Sequence, residues 1–192
     1  VCSSDLQRIP ARLLAAAVFS TALPMSAGVV PDFSGYSRDC AVSVQAEGES
    51  LRVTWPVPGR KNPIVVIDLN PGRPLIASLD GVLAGLDPML AMTIGSRTAP
   101  AGRPPWASIW NTFFDNPAKR PHQTHLATFE KKSATVRGSG SRASLVVGEI
   151  KAGSFSGNVS LGFFAGSPLV QFEALVGTTE DARAFVFDLG LT

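Results

Sequence analysis

The C-terminal half of the chain alternates short apolar runs with turn residues at close, regular intervals. The runs are rich in β-branched and aromatic side chains, which favour strands, and glycine, serine and proline lie between them. The predicted strands are Trp106–Phe114, His125–Glu130, Ala134–Arg137, Ala143–Ile150, Ser156–Phe164, Leu169–Val176 and Ala184–Leu189. Because no helical period separates these runs, the pattern predicts a meander of antiparallel strands.

The preceding part of the chain shows the same strand pattern. Apolar and polar residues alternate over Leu51–Trp55, which predicts a half-buried strand. The runs Ile64–Leu69 and Leu75–Leu79 are separated by an Asn-Pro-Gly turn, so they predict a hairpin. Asp80–Pro88 is the least strand-like stretch, and we expect a loop or a short helical turn there. Met89–Ile94 predicts a further strand.

These patterns together predict the fold class. The number of strands, about a dozen, exceeds what one open sheet comfortably holds, which favours two packed sheets. The composition agrees, because 18 glycines, 15 prolines and only 17% charged residues argue against a helical bundle or a disordered chain. We therefore expect an all-β fold, a large antiparallel two-sheet β-sandwich with little helix apart from an N-terminal signal segment.

The N-terminal residues have the pattern of a secretory signal. Arg8 and Arg12 precede an apolar run from Leu13 to Leu23, and small residues follow as far as Ala27. The run is shorter than the ~20 residues that span a bilayer, so we expect no membrane span after signal removal. The alternative is a buried N-terminal helix. The pattern predicts export to the periplasm or the extracellular space.

The chain divides into three predicted regions. Residues 1–27 form the signal segment, 28–38 a flexible joint, and 39–192 the β-sandwich domain. Residues 1–6 back-translate into the end of a common sequencing adapter, and we interpret them as a sequencing artefact. Because residue 192 directly follows an apolar strand, we expect the sandwich domain to be truncated and a downstream domain of the same polypeptide to be its partner.

The net charge bears on nucleic-acid binding, and the cysteine content bears on disulfide formation. The net charge is +2, and some of it lies in the signal segment, so a nucleic-acid partner is not expected. Cys2 precedes the apolar run and would be removed with the signal, which leaves Cys40 without a disulfide partner. A lone thiol of this kind is usually buried, and we expect Cys40 to be buried.

The most distinctive segment combines aromatic and polar side chains and supplies the candidate ligand-binding residues. These are Trp106, Trp110, Asp115, Arg120, His122 and His125. The two tryptophans are four residues apart and share one face of a strand. Aromatic rings stack on the apolar faces of sugars, and the polar side chains can bond sugar hydroxyl groups, so a carbohydrate is the candidate ligand. The alternative is that the aromatic side chains are core and the polar residues form a capped turn.

Metal and catalytic chemistry receive less support from the sequence. His122 and His125 with Glu130 could supply zinc ligands, but strand residues three apart point to opposite faces, and no His-Glu-x-x-His pattern is present. We predict no metal site and no cofactor. Carboxylates are scattered, and Glu173 shares a strand face with Gln171 that we expect to be solvated. The sequence identifies no catalytic residue and leaves open whether the chain is an enzyme.

The stretch Phe155–Val176 resembles paired strands of a β-supersandwich, as found in domains similar to galactose mutarotase. Such domains often stand at the N-terminus of secreted bacterial carbohydrate-active proteins, and the resemblance extends from Leu51 to Leu191. It implies an N-terminal accessory module of an exported bacterial protein that binds or processes carbohydrate. We assign none of that family's catalytic residues here. The alternatives are a sandwich enzyme acting on sugars, as hydrolase, lyase or epimerase, and a non-catalytic structural module of the cell envelope.

Overall fold

The computed structural model describes residues 28–97 and 121–192, which form strands and turns with no helix. The strands are β1 (Asp32–Tyr36), β2 (Ser43–Glu47), β3 (Ser50–Thr54), β4 (Ile64–Asp68), β5 (Ile76–Leu79), β6 (Val82–Leu86), β7 (Pro88–Ser96), β8 (His122–Leu126), β9 (Thr128–Ser139), β10 (Arg142–Ala152), β11 (Phe155–Phe164), β12 (Val170–Gly177) and β13 (Arg183–Leu191). The predicted all-β fold class is confirmed.

The strands form three sheets. Sheet A has the order β1-β9-β10-β11-β12, and sheet B is a meander of β2 to β6 in chain order. These two sheets pack as a sandwich, which confirms the predicted two-sheet arrangement. Sheet C, with the order β13-β7-β8, is an addition that the sequence did not predict.

One hydrophobic core joins all three sheets. Trp55, which follows β3 in sheet B, is 1% exposed, and its ring centroid lies 5.3 Å from that of Phe163 in sheet A. The indole Nε1 of Trp55 donates a hydrogen bond to the carbonyl oxygen of Ser167 at 2.6 Å, so the buried polar atom is satisfied. Leu90 and Met92 bring sheet C into the same cluster.

Several local predictions hold. The hairpin of β4 and β5 forms as expected, with Val65 opposite Leu79 and Ile67 opposite Ile76. The strand predicted at residues 51–55 forms as β3, Ser50–Thr54, with its apolar side chains in the core. Cys40 is buried, and its Sγ donates to the carbonyl oxygen of Arg142 at 3.3 Å, so the expectation of a buried thiol is confirmed.

The expected loop or helical turn at Asp80–Pro88 is wrong, because these residues contain β6 and the start of β7. Asp80 and Gly81 have φ values of 51° and 84° and form the two-residue turn between β5 and β6. Positive φ at both central residues defines the type I′ turn, whose twist matches that of a hairpin. Val82 and Leu83 remain largely exposed, which is why the segment lacked an alternating pattern.

Residues 28–38 are more than a joint, because they contain β1. This strand runs parallel to β9, with Gly35 opposite Arg137 and Tyr36 opposite Gly138, so the sheet is not entirely an antiparallel meander. The Tyr36 hydroxyl donates to the carbonyl oxygen of Val42 at 2.7 Å and accepts from the Val44 amide at 3.0 Å. These bonds fasten β1 to β2.

Strand β9 is continuous where two separate strands, His125–Glu130 and Ala134–Arg137, were expected. Strand β8 ends at Leu126 and β9 begins two residues later. The polar residues in the middle of β9 suggested a break, but Lys131 points inward and is buried. Its ammonium donates to three backbone carbonyls, which offset part of the cost of burying a charge there.

Two predictions lie outside the described residues. They are the signal segment at residues 1–27 and the strand Trp106–Phe114. Within residues 28–97 and 121–192, no helix is long and apolar enough to cross a membrane.

Candidate functional site

A polar groove crosses one end of sheet C, where β7 ends and β8 and β13 begin. Ser96 is paired with Arg183, and Gly95 with His122, so these three strand ends lie side by side. The groove is open and has a volume of about 510 Å³. It is lined by Ile94, Gly95, Ser96, Pro121, His122, Gln123, His125, Gly153, Ser154, Glu180 and Arg183. We call it the histidine groove, because both histidines of the chain line it.

The turn between β10 and β11 forms a second wall of the groove. Gly153 in this turn has φ 58°, a conformation that glycine adopts without strain. A Cβ atom at this position would lie 2.9 Å from Cδ2 and Nε2 of His125 and 3.0 Å from Cδ1 of Ile94. The glycine therefore lets the imidazole pack directly against the turn, which fixes the ring at the edge of the groove.

The two histidines enter the groove from opposite faces of β8. His125 is paired with Met92, whose side chain is buried in the core, so the half-buried imidazole lies on the core-facing side of sheet C. His122 is three residues earlier and lies on the other face, as expected for a strand. Both still line the groove, because it wraps around the end of the strand and not along one face.

An ion pair forms the far side of the groove. Arg183 Nε donates to Glu180 Oε2 at 2.6 Å. A hydrogen bond from the Ser154 hydroxyl, followed by that from Arg183, lowers the pKa of Glu180 below its ordinary value of 4.5. The carboxylate is consequently ionised at neutral pH, and the pair presents fixed charges of both signs to the groove.

The remaining predicted ligand-binding residues, Trp106, Trp110, Asp115 and Arg120, lie outside the described residues. Their position in the chain still relates them to the groove. The segment that carries them leaves after Arg97, whose amide donates to the carbonyl oxygen of Ala182 at 2.7 Å, and returns at Pro121 in the groove wall. Both attachment points of the segment are thus at the groove.

Among the groove residues that the sequence did not single out as candidates are Ser154, Glu180 and Arg183. They lie in or beside the turns that precede β11 and β13, and more than 50 positions separate Ser154 from the end of β7. No spacing rule connects residues so far apart. Glu173, which the sequence singled out, is in β12 of sheet A, where Gln171 Nε2 donates to its Oε1 at 2.5 Å, and it does not line the groove.

The groove shows the donors and acceptors of a binding site for a polar ligand. Arg183 offers guanidinium donors, Glu180 accepts, and the imidazoles, Gln123 and Ser154 can do both. Within the described parts of the chain, no group of three or more His, Cys, Asp or Glu side chains could hold a metal ion. No protein-family model matches this chain, and no curated protein matches its sequence.

Proposed function

We propose that this chain is a non-catalytic β-sandwich module that binds carbohydrate in the histidine groove. One observation carries the proposal: both histidines and the Glu180–Arg183 ion pair line the same open, polar groove. The groove lies on strand ends of sheet C, and a sheet holds binding side chains more precisely than loops do.

The chemistry of the groove suits a polyhydroxylated ligand. Each sugar hydroxyl group is both a donor and an acceptor, so a site needs closely spaced groups of both kinds. The groove supplies a carboxylate, a guanidinium group, two imidazoles, a carboxamide and a hydroxyl group. Its volume of about 510 Å³ also falls within the ordinary range for small-ligand sites, about 300–1,000 Å³.

Binding is favoured over acid–base catalysis at this site. A glycosidase needs two facing carboxyl groups, one of which is protonated at working pH. Glu180 is the one carboxylate among the described residues that line the groove, and its lowered pKa keeps it from serving as a general acid at neutral pH. Glu173 is in β12 of sheet A and does not line the groove.

The predicted aromatic residues complete the proposal. Trp106 and Trp110 belong to the segment that joins β7 to β8 at the groove, and we propose that they supply the stacking surface for a sugar ring. Asp115 and Arg120 belong to the same segment. A purely structural envelope module would need no polar groove at this position, so the groove supports a ligand-binding role.

The wider setting of the module is also a proposal. The signal pattern at residues 1–27 supports an exported bacterial protein, and the supersandwich resemblance supports an N-terminal accessory module. A catalytic domain further along the same polypeptide would then process the carbohydrate that the groove binds.

Affinity electrophoresis in gels that contain soluble polysaccharides tests the binding function. We expect at least one polysaccharide to retard the wild-type chain, and His125→Gln and Arg183→Gln to reduce that retardation at least fivefold. Arg60→Gln is the matched control, because it removes the same charge from an exposed loop away from the groove. Retardation by no polysaccharide, or equal retardation of the wild type and both groove variants, contradicts the proposal.

The role of the tryptophans is tested separately in the same gels. We expect Trp106→Ala and Trp110→Ala to weaken retardation while His122 and His125 are intact. If binding is unchanged in both tryptophan variants but lost in Arg183→Gln, the groove binds the polysaccharide and the two tryptophans do not contribute.

A further inference from the structure

A second cavity lies between sheets A and B, on the side where β4 and β5 face β11 and β12. It has a volume of about 260 Å³ and no lining residue in common with the histidine groove. It is lined by Trp55, Pro63, Ile64, Val65, Ile76, Leu79, Asp80, Leu161, Pro168, Val170, Phe172 and Leu191. We call it the inter-sheet cavity.

The walls of the inter-sheet cavity are apolar. Trp55, Val65, Ile76 and Leu161 form its inner part and are almost completely buried. Apolar cavities in proteins take up apolar molecules, and a cavity of about 150 Å³ already holds benzene. Since the inter-sheet cavity is larger, it has room for an aromatic ring with a short side chain.

One charged side chain, that of the exposed Asp80, is among the residues that line the cavity and belongs to its solvent-facing side. Its position is fixed by the turn, because its amide donates to the carbonyl oxygen of Ile64 at 2.7 Å and its Oδ1 accepts from the Ile64 amide at 2.8 Å. Within the part of the chain that the structure describes, no Lys, Arg or His side chain forms an ion pair with Asp80. The cavity is therefore lined by a carboxylate that the turn fixes in place and that has no cationic partner among the described residues.

We propose that the inter-sheet cavity binds a small amphipathic cation, with its apolar body between the sheets and its ammonium group at Asp80. The apolar lining favours a ligand whose body is apolar, because binding removes apolar surface from water. The Asp80 carboxylate favours a ligand with a positive charge, because an ammonium group bonds a carboxylate more strongly than a neutral group does. An anionic ligand of the same shape would meet repulsion at this position.

Three ligands that share a phenyl ring and differ in the polar group test the proposal. We expect calorimetric titration of the full chain to show saturable binding of 2-phenylethylamine, weaker binding of 2-phenylethanol, and at least tenfold weaker binding of phenylacetate. The indole N–H resonance of Trp55, assigned from its loss in Trp55→Phe, should shift on titration with the amine, because this side chain lines the cavity.

Asp80→Asn tests the role of the charge with little change of shape. Asparagine keeps a side-chain oxygen for the Ile64 amide and tolerates the φ of 51°. We expect the affinity for 2-phenylethylamine to fall about tenfold, the change typical of losing a charge-assisted hydrogen bond, and the affinity for 2-phenylethanol to stay within about twofold.

Val170→Phe tests the location of the site. Val170 is at the partly buried start of β12 and lines the cavity, so a larger side chain should fill the space and abolish the Trp55 shift. Val176→Phe is the matched control, because it makes the same change on the same strand outside the cavity. If Val170→Phe does not fold, the three ligands and Asp80→Asn still decide the question.

Three results would overturn the proposal. They are no saturable binding of the amine, equal affinity for the amine and phenylacetate, or amine binding that Asp80→Asn leaves unchanged. Glycan binding at the histidine groove is independent of all three, since the two sites have no residue in common.

Discussion

The ammonium group of Lys131 lies 2.6 Å from the carbonyl oxygen of Arg73, and this contact joins β9 of sheet A to the loop between β4 and β5 of sheet B. The same Nζ donates to the carbonyl oxygens of Asp68 at 2.7 Å and Asn70 at 3.0 Å. Burial lowers the pKa of Lys131, and the nearby Asp68 and Asp87 partly offset this effect. A charged side chain that is 7% exposed thus connects the two layers of the sandwich.

Lys131→Met should lower the free energy of unfolding by about 2 kcal/mol, because three carbonyl oxygens lose their donor while the apolar stem is kept. Urea denaturation followed by tryptophan fluorescence measures the change. The neighbouring Lys132→Met is the control. Lys132 forms ion pairs with Glu130 and Glu149, but its side chain is 55% exposed and solvent screens both pairs, so its loss should cost much less than the loss of the buried Lys131 contacts. Equal effects of the two substitutions would show that the buried contacts are not stabilising.

Gly153→Ala should destabilise the chain more than Gly140→Ala. Both glycines have φ 58°, so both substitutions carry the same backbone strain of about 1 kcal/mol. At position 153 the new Cβ would lie 2.9 Å from the ring of His125 and 3.0 Å from Cδ1 of Ile94, whereas nothing lies within 4 Å at position 140. Thermal unfolding of both variants gives the difference. The imidazole resonances of His125 should shift in Gly153→Ala alone, and a shift of equal size in both variants would contradict the contact.

Glu180 should titrate below its ordinary pKa of 4.5 in an NMR experiment that follows its side-chain carboxyl carbon. A lowered folded-state pKa means that the folded chain favours the ionised carboxylate. This contribution to stability is present above about pH 4.5 and is lost as the pH falls through the lowered pKa. We expect Ser154→Ala and Arg183→Gln each to raise the pKa, since their hydrogen bonds are the two largest causes of the shift. A pKa of 4.5 or above in the wild type would refute the arrangement.

Tyr36→Phe should lower the free energy of unfolding by about 1–3 kcal/mol. The substitution leaves the Val42 carbonyl and the Val44 amide without the hydroxyl that joins them, and both lie in partly buried surroundings. Chemical denaturation provides the measurement. Ser34→Ala in the same strand is a suitable comparison, because the Ser34 hydroxyl is exposed and bonds the exposed Asp32 side chain, and its effect should stay within about 0.5 kcal/mol.

The failed prediction at Asp80–Pro88 shows what local sequence reasoning overlooked. The pair Asp80-Gly81 is a recognised signal for a type I′ hairpin, and it was present in the sequence. The strand after it was missed because Val82 and Leu83 are exposed apolar residues, so no alternation of buried and exposed positions marks β6. Alternation of apolar and polar residues reveals a strand only where one face of the strand is buried and the other is solvated.

The break expected within β9 has a different cause. Lys131 and Lys132 are adjacent and chemically alike, yet one is buried and the other exposed. The three carbonyl oxygens that make burial of Lys131 acceptable come from residues about 60 positions earlier. A local window cannot contain that information.

The sequence by itself determined the all-β class and most strands of the sandwich, because alternation, β-branched runs and turn residues act over a few neighbouring positions. It also predicted the burial of Cys40, because a lone thiol is usually buried. It also directed attention to His122 and His125. Only the tertiary structure decided that these histidines lie beside Ser154, Glu180 and Arg183, and that an apolar cavity lies between sheets A and B. Both features arise where distant strands and turns meet, and such meetings are set by sheet order and packing between layers, which no local pattern specifies.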